Sequence, residues 1–318
     1  MKNPTIISEQ DIIKTYNERQ QEQSRLYLEY KRIKKENPEF GYKRISKILE
    51  QPEHKTRWWN SKKHLPVPIQ TVNWLKEKVL IPLTIENPKI HLISRVLGTT
   101  FGDGGIFDNL NGIFLSSSEI GSVKEFGEDL KTIFGEEVEK NSRIIEGGVY
   151  GHSWCYQNTN RNIIRFFQSL GSPIGRKSNI ELIVPNWIFL NEKVMDNFLG
   201  SIIGGEGSIP KYRNRTPNPI TIGITGREHL KENRIKFLEQ LRKYFIIKGI
   251  ETNKLYIYKW KDTNIFRLPL RSTFSNIVNF YDNVPIHYSD YKKQKLEKAI
   301  EDWKRIMETN KNLTFIRL

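Results

Sequence analysis

Two glycine-rich segments of the chain each end in a carboxylate. Residues 96–104 read VLGTTFGDG and residues 199–207 read LGSIIGGEG, so that Asp103 and Glu206 hold matching places. Small residues recur four apart in both segments: Gly98 with Gly102, Gly200 with Gly204, and Ser201 with Gly205. Small residues at this spacing share one helix face and let two helix backbones approach closely. Packing the two helices together would bring Asp103 and Glu206 side by side.

Such a carboxylate pair favours metal chemistry. Two carboxylates at close range repel each other and shift each other's pKa unless a divalent cation lies between them. Oxygen ligands are those that magnesium prefers, and bound magnesium assists the hydrolysis of phosphodiesters. The pair therefore predicts a magnesium site, and the charge of the chain indicates the substrate.

The charge is that of a polyanion-binding protein. The 318 residues include 51 Lys and Arg against 36 Asp and Glu, a net charge of +15. Residues 1–90 hold 18 basic and 11 acidic side chains, residues 91–193 hold 10 and 12, and residues 194–318 hold 23 and 13. This excess of cations is the electrostatic footprint expected of a nucleic-acid binder.

Other function classes are excluded by composition. The single cysteine, Cys155, excludes a cysteine-rich zinc site and an intramolecular disulfide. No run of about 18 apolar residues predicts a membrane span, and the N-terminus has no secretory signal pattern. A cytoplasmic protein is expected.

The elements around the carboxylates form a weak internal repeat. Each glycine-rich helix precedes a strand pair, an amphipathic helix, a second strand pair and a third helix, which gives the order αββαββα twice. The predicted units are residues 89–193 and 194–318, the second ending in a basic helix that begins near Tyr291. The fold class expected is α+β, with a small all-α domain at residues 1–88.

That N-terminal domain has the pattern of a helix-turn-helix. Residues 41–49 and 54–60 form two short helices joined by a turn at residues 51–53. The second helix is basic, and we expect Lys55, Arg57 and Asn60 to contact DNA. The alternative is an ordinary helical hairpin with a solvated basic face.

The paired motifs resemble those of the LAGLIDADG homing endonucleases, in the monomeric form that carries two motif copies. The resemblance covers about residues 91–310. It implies two antiparallel sheets that form a saddle over the major groove of double-stranded DNA. It also implies that Asp103 and Glu206, with the backbone carbonyls of Gly102 and Gly205, hold Mg2+, for which Mn2+ substitutes. A monomer is expected because two motif copies supply both halves of the site.

The same resemblance places one basic residue beside each carboxylate. The segments that follow the third helices point to Lys177 in the first half and to Lys293 in the second, with Lys292 close behind. The sequence departs from the family pattern at Phe101 and Gly204, where the motif name has an earlier Asp. Glu206 in place of Asp keeps the charge, so both acids are interpreted as competent.

Basic side chains on the predicted strands are candidates for DNA contact. Alternation along the strand would place Tyr256, Tyr258 and Trp260 on one face and the adjacent lysines on the other. Arg and Lys reach guanine edges or neutralise phosphates. The candidates are Lys140, Arg143, Lys211, Arg213, Arg215, Lys254, Lys259, Lys261 and Arg267.

The leading interpretation is a site-specific, magnesium-dependent double-strand DNA endonuclease of a mobile element such as an intron. One alternative is a non-catalytic LAGLIDADG-like DNA-binding regulator, in which the helix-turn-helix performs the recognition. Another is an intron maturase that binds RNA. Residence in an intein is disfavoured because the chain lacks an initial Cys or Ser and a terminal His-Asn pair.

Overall fold

A computed structural model describes residues 4–147, 152–209, 212–213, 216–217 and 219–315. The chain divides into two compact units. The helical unit comprises Met1–Asn87 and Arg161–Leu170, and the repeat unit comprises Pro88–Asn160 and Gly171–Leu318. Within the described residues, no helix is long and apolar enough to cross a membrane.

The helical unit contains six helices and one strand pair among its described residues. Its core includes Trp59, whose ring makes edge contacts with Tyr27 and Tyr30 at 5.8 Å between centroids. The elements are β1 (Thr5–Ile7), α1 (Glu9–Lys14), α2 (Glu18–Glu36), α3 (Tyr42–Ile48), α4 (Glu53–Asn60), α5 (Val67–Glu77), β2 (Leu83–Thr84) and α8 (Arg161–Ser169). Strands β1 and β2 pair antiparallel. This strand pair corrects the prediction that the N-terminal domain is all-α.

Helix α8 was expected to close the first repeat, but it packs on α1 and α5 of the helical unit. Ile163, Ile164, Phe166 and Phe167 are all buried there. The amphipathic pattern of the helix predicts that it has a buried face, but it does not specify the partner of that face.

The repeat unit contains the duplicated architecture. The first copy is α6 (Ile90–Phe101), β3 (Gly104–Ile106), β4 (Ile113–Ser117), α7 (Ile120–Phe134), β5 (Ser142–Glu146) and β6 (Trp154–Asn158). The second copy is α9 (Glu192–Glu206), β7 (Gly207–Ser208), β10 (Thr221–Gly226), α10 (Lys231–Ile247), β11 (Tyr256–Trp260), β12 (Thr263–Pro269) and α11 (Phe274–Asn283). A short hairpin, β8 (Tyr212–Arg213) and β9 (Thr216–Pro217), is inserted after β7, and α12 (Asp290–Phe315) follows α11.

The two four-stranded sheets have matching strand orders, β3-β4-β6-β5 and β7-β10-β12-β11, and their ladders are antiparallel. The predicted α+β class is thereby confirmed. One face of each sheet carries core residues in strict alternation, such as Ile113 and Leu115 in β4 and Phe266 and Leu268 in β12. These faces pack on α7 and α10. Side chains at the intervening positions point to the opposite, open face of each sheet.

Candidate active site

Helices α6 and α9 make the backbone contact that the small residues predict. A side chain at Gly98 would overlap the carbonyl oxygen of Phe198, and a Cβ on Gly205 would lie 2.9 Å from the amide nitrogen of Asp103. Close approach therefore continues to the ends of both helices. It places Asp103, just after α6, next to Glu206, the last residue of α9.

The two small-residue pairs of α9 contact different parts of the structure. Ser201 and Gly205 face α6, since both lie near Gly102. Gly200 and Gly204 instead face the segment 285–287: a Cβ on Gly200 would lie 2.8 Å from the carbonyl oxygen of Pro285. Helix α9 thus uses one small face for α6 and the other for the segment that leads into α12.

The charge of Asp103 acts on the ionisation of Glu206. Burial and then the charge of Asp103 raise the pKa of Glu206 to about 7, against the attraction of two lysines. The Asp103 side chain reaches solvent on one side, but the protein atoms packed around its other sides desolvate it and raise its pKa, while Lys292 and Lys177 oppose the rise. Nearby cations stabilise the negative charge of two closely spaced carboxylates.

The ammonium group of Lys177, the candidate from the first half, lies near both carboxylates and contributes to their electrostatic environment. It donates to the carbonyl oxygens of Gly102 and Gly104, the latter at 2.5 Å. Burial lowers the pKa of Lys177, and the charges of Glu206 and Asp103 oppose that shift.

Lys292, rather than the nominated Lys293, supplies the second cation. Its ammonium donates to the carbonyl oxygens of Gly204, at 2.7 Å, and Gly205. Lys293 instead pairs with Asp290 at 3.2 Å on the surface. Adjacent residues of a helix point about 100° apart, so one lysine of the pair faces the carboxylates and the other does not.

The two lysines occupy equivalent places in the two halves. Lys177 bonds to the carbonyls around the end of α6, and Lys292 to those at the end of α9. The backbone oxygens of Gly102 and Gly205, expected as supplementary metal ligands, therefore accept hydrogen bonds from ammonium groups. These oxygens already act as cation acceptors in the structure.

Each lysine is held by the opposite half. Arg234 of α10 is fully buried, and its guanidinium donates to the carbonyl oxygens of Lys177 at 2.6 Å, Ile180 at 2.8 Å and Thr225 at 2.9 Å. An arginine of the second half thus fixes the backbone of the segment that carries Lys177.

The segment that carries Lys292 is fixed by the first half. Glu119 accepts from the Ser289 hydroxyl at 2.7 Å and from the Tyr291 amide at 2.9 Å. The buried Tyr288 hydroxyl donates to Asp129 of α7, which also lies 3.1 Å from the Arg95 guanidinium. Arg95 in turn lies 4.5 Å from the centre of the Tyr288 ring.

Sequence reasoning did not find these supporting residues. For Arg234 a signal exists: it falls in phase with the apolar stripe Phe237, Leu238, Leu241, Tyr244 and Phe245 of α10, where a charge is out of place. Tyr288 and Ser289 lie in the segment that follows the third helix of the second half, but the sequence contains no sign of their partners Asp129 and Glu119.

A cavity of about 220 Å3 opens beside Asp103, with Ser201, Tyr288 and Lys292 also in its wall. Within the described residues, no group of three or more His, Cys, Asp or Glu is suited to hold a metal. The donor set here is two carboxylates with the carbonyls of Gly102 and Gly205, all hard oxygens. This set fits magnesium, which is usually bound through one or two carboxylates and keeps several waters.

The predicted DNA-contacting residues of the sheets are partly on open faces. Arg143 is exposed and donates to Gln157 at 2.7 Å across the first sheet, and Arg267 lies on the open face of the second. Lys140, Lys254, Lys259 and Lys261 are exposed. Lys211 and Arg215 lie outside the described residues, and Arg213 lies in the short strand β8.

The three candidates of the helical unit differ in their surroundings. Arg57 is exposed on α4. Lys55 is half-buried: its ammonium donates to Gln51 at 2.8 Å and lies 5.2 Å from the centre of the Trp59 ring. Asn60 accepts from the Tyr30 hydroxyl at 3.0 Å. Arg57 and Asn60 are therefore both exposed, although Asn60 also makes one internal contact, whereas Lys55 is engaged in internal contacts.

Comparisons with known proteins found relatives of several kinds, and no family model matches the chain. It is 32% identical over 237 residues to the tRNA-splicing ligase RtcB of Pyrococcus abyssi, covering 71% of this chain and 25% of that protein. It is 30% identical over 196 residues to the RNA polymerase subunit Rpo1N of Methanocaldococcus jannaschii, covering 57% and 14%. The chain thus spans a quarter or less of the length of these relatives.

Solved structures with a similar arrangement have little sequence identity. The homing endonuclease I-DmoI in complex with DNA and Ca aligns with a TM-score of 0.44 at 12% identity, over 66% of this chain and 98% of that one. The N-terminal LAGLIDADG domain of DUF199/WhiA aligns with a TM-score of 0.37 at 14% identity, over 68% and 92%. At these scores the function of the chain does not follow from either structure.

Proposed function

We propose that the repeat unit hydrolyses phosphodiester bonds of double-stranded DNA at specific sites, using a divalent metal held by Asp103 and Glu206. The observation that carries this proposal is the paired site: two carboxylates, each at the end of one repeated helix, each accompanied by a lysine. A site with two matching halves suits the two strands of a duplex. Bound Mg2+ or Mn2+ would polarise the phosphate and lower the pKa of an attacking water.

The chain's own residues have separate roles in this proposal. The carboxylates hold the metal, and the carbonyls of Gly102 and Gly205 complete an oxygen-rich site. The Lys177 and Lys292 ammonium groups stabilise negative charge as it develops on the phosphate, because cations in a desolvated site act strongly on nearby anions. Arg234 and Tyr288 are positioning residues, since they fix the segments that carry the two lysines.

The relatives support an independent module rather than the activities in their names. This chain matches a segment that occupies 25% of a protein named as a tRNA-splicing ligase and 14% of one named as an RNA polymerase subunit. The two named activities differ, so neither of them accounts for the matching segment. We infer that it is a mobile module, so the ligase and polymerase activities are not assigned to this chain.

The test compares cleavage with binding. Plasmids that carry a library of candidate sites are incubated with the full chain and Mg2+, and linear product is measured. We expect Asp103→Asn and Glu206→Gln to abolish double-strand cleavage while DNA affinity stays within about threefold, because binding rests on Lys and Arg contacts to phosphates. Glu128→Gln, an exposed carboxylate of α7, is the matched control and should cut normally. Cleavage by both site variants at the wild-type rate would refute the metal-site proposal, and binding without cleavage by the wild type would favour a DNA-binding regulator.

A further inference from the structure

The edge strand β11 exposes three aromatic side chains on one face. Tyr256, Tyr258 and Trp260 are 45%, 37% and 60% exposed, respectively. They alternate along the strand and therefore share the open face of the second sheet. The register confirms this, because Ile257, between the tyrosines, pairs with the buried Phe266. Large aromatic groups clustered at the surface usually mark a binding site.

Cations surround this aromatic stripe, defined as Tyr256, Tyr258 and Trp260. Arg267 lies opposite Tyr256 in the neighbouring strand, and its guanidinium is 5.5 Å from the centre of the Tyr258 ring. The two tyrosine rings are nearly parallel, at 21° and 6.3 Å. The exposed Lys254 and Lys261 flank the two ends of the strand, whereas Lys259 alternates onto the opposite face, where it pairs with Asn264. The surface thus combines aromatic faces with positive charge.

The fold itself does not require the stripe. In the first sheet, the corresponding edge strand β5 has Arg143 and Ile145 on its open face, with Arg143 held by Gln157. The two halves share strand order but not this surface. The aromatic groups are therefore a feature of the second half that the repeated architecture leaves unexplained.

We propose that the aromatic stripe binds single-stranded DNA by stacking on unpaired bases. A duplex hides the faces of its bases between neighbours, whereas a single strand exposes them. Arg267, Lys254 and Lys261 supply the attraction to phosphates that a polyanion requires. A wholly apolar partner is disfavoured because it would desolvate these cations without pairing them. The stacking surface is independent of the proposed cleavage reaction, and the choice of DNA over RNA rests on that proposed function.

The test measures binding without cleavage. The full chain is titrated into dye-labelled oligo(dT) of about 12 nucleotides, a length within the range of known single-strand sites, with EDTA present, and the dissociation constant is read from fluorescence anisotropy. We expect Tyr258→Ala and Trp260→Ala each to weaken binding at least about fivefold, the lower end for loss of one stacked base. Trp260→Phe should retain most of the affinity. Tyr281→Ala, at a 43% exposed tyrosine of α11, is the matched control and should bind as the wild type does.

Three results would overturn the proposal. The first is an unchanged dissociation constant in both alanine variants, with circular dichroism confirming that they are folded. The second is an equal loss of affinity in both alanine variants for the oligo(dA)·oligo(dT) duplex of the same length. The third is binding of oligo(U) RNA without binding of oligo(dT). Because EDTA removes metal from every sample, a failure of the cleavage proposal leaves this measurement unaffected.

Discussion

At the scale of single residues, the structure assigns different surroundings to two adjacent lysines. Lys292 bonds to the carbonyls at the end of α9, whereas Lys293 pairs with Asp290. We predict that Lys292→Met lowers the cleavage rate by about a hundredfold, the typical cost of removing one electrostatic stabiliser of a transition state. Lys293→Met should stay within about twofold. Single-turnover rates on a target duplex, compared at saturating protein, test the difference. Equal rates in the two variants would contradict the assignment.

His287 lies in the segment that leads into α12, and its surroundings keep the imidazole neutral at pH 7. Burial, with the nearby charges of Arg95 and Lys293, lowers the pKa of His287 to about 3. It is therefore not poised as a general acid or base at neutral pH.

The shift of His287 has a consequence for stability. In the unfolded chain the pKa of a histidine is about 6.5, so protonation favours unfolding as the pH falls below that value. We predict that the wild type loses about 2 kcal/mol more unfolding free energy between pH 7.5 and pH 5 than His287→Gln does. Urea denaturation of both proteins at the two pH values measures this. Parallel losses would show that His287 is protonated in the folded protein.

The sequence indicated which residues lie close together only where a pattern specifies a position. Asp103, Glu206 and Lys177 lie together in the structure, because the motif and the segment after the third helix both point to one place. The identity of the second lysine depends on the rotational phase of α12, which begins at Asp290. Two neighbouring lysines in a basic sequence do not reveal that phase.

At the scale of elements, the site depends on the contact between α6 and α9. A methyl group on Gly98 would overlap the Phe198 carbonyl, which is backbone and cannot move aside. We predict that Gly98→Ala costs several kcal/mol of unfolding free energy or prevents folding, since overpacking typically costs about 1–3 kcal/mol even where neighbours adjust. Chemical denaturation followed by circular dichroism measures the loss.

Gly121→Ala is the matched control for that substitution. Gly121 lies in α7, and a Cβ added there would meet no atom within 4 Å in the part of the chain that the structure describes. Alanine is favoured over glycine in a helix by up to about 1 kcal/mol, so this variant should be at least as stable as the wild type. Similar destabilisation by both substitutions would mean that helix packing is not the cause.

The close approach of these helices could be predicted from sequence, since four-residue spacing of small side chains has a direct geometric meaning. The contacts of Arg234 and Tyr288 with the opposite half could not be predicted from sequence. Arg234 lies 57 positions along the chain from its partner Lys177, and Tyr288 lies 159 positions from its partner Asp129. Such pairings depend on the arrangement of the two halves, which local patterns do not specify.

At the scale of the whole molecule, the order of elements in the repeat unit was predictable, but the membership of α8 was not. Its apolar face fits a third helix of the first repeat as well as it fits the helical unit. The structure places it on α1 and α5, so the helical unit is built from two separate stretches of the chain.

This organisation changes what removal of residues 1–87 would do. The deletion would strip α8 of its partners and leave Ile163, Ile164, Phe166 and Phe167 uncovered. Exposure of each such side chain costs roughly 1.5–3 kcal/mol relative to burial. We predict that the 88–318 fragment aggregates or melts at a lower temperature than the full chain, measured by light scattering and thermal denaturation. A monomeric fragment with the full chain's melting temperature would show that α8 needs no partner in the helical unit.

The contribution of the helical unit to DNA binding is better tested by the triple variant Arg57→Ala, Lys62→Ala and Lys63→Ala, whose side chains are exposed. That variant should keep the wild-type melting temperature and, if all three contact phosphates, reduce the salt dependence of binding by up to about 2.7 in slope.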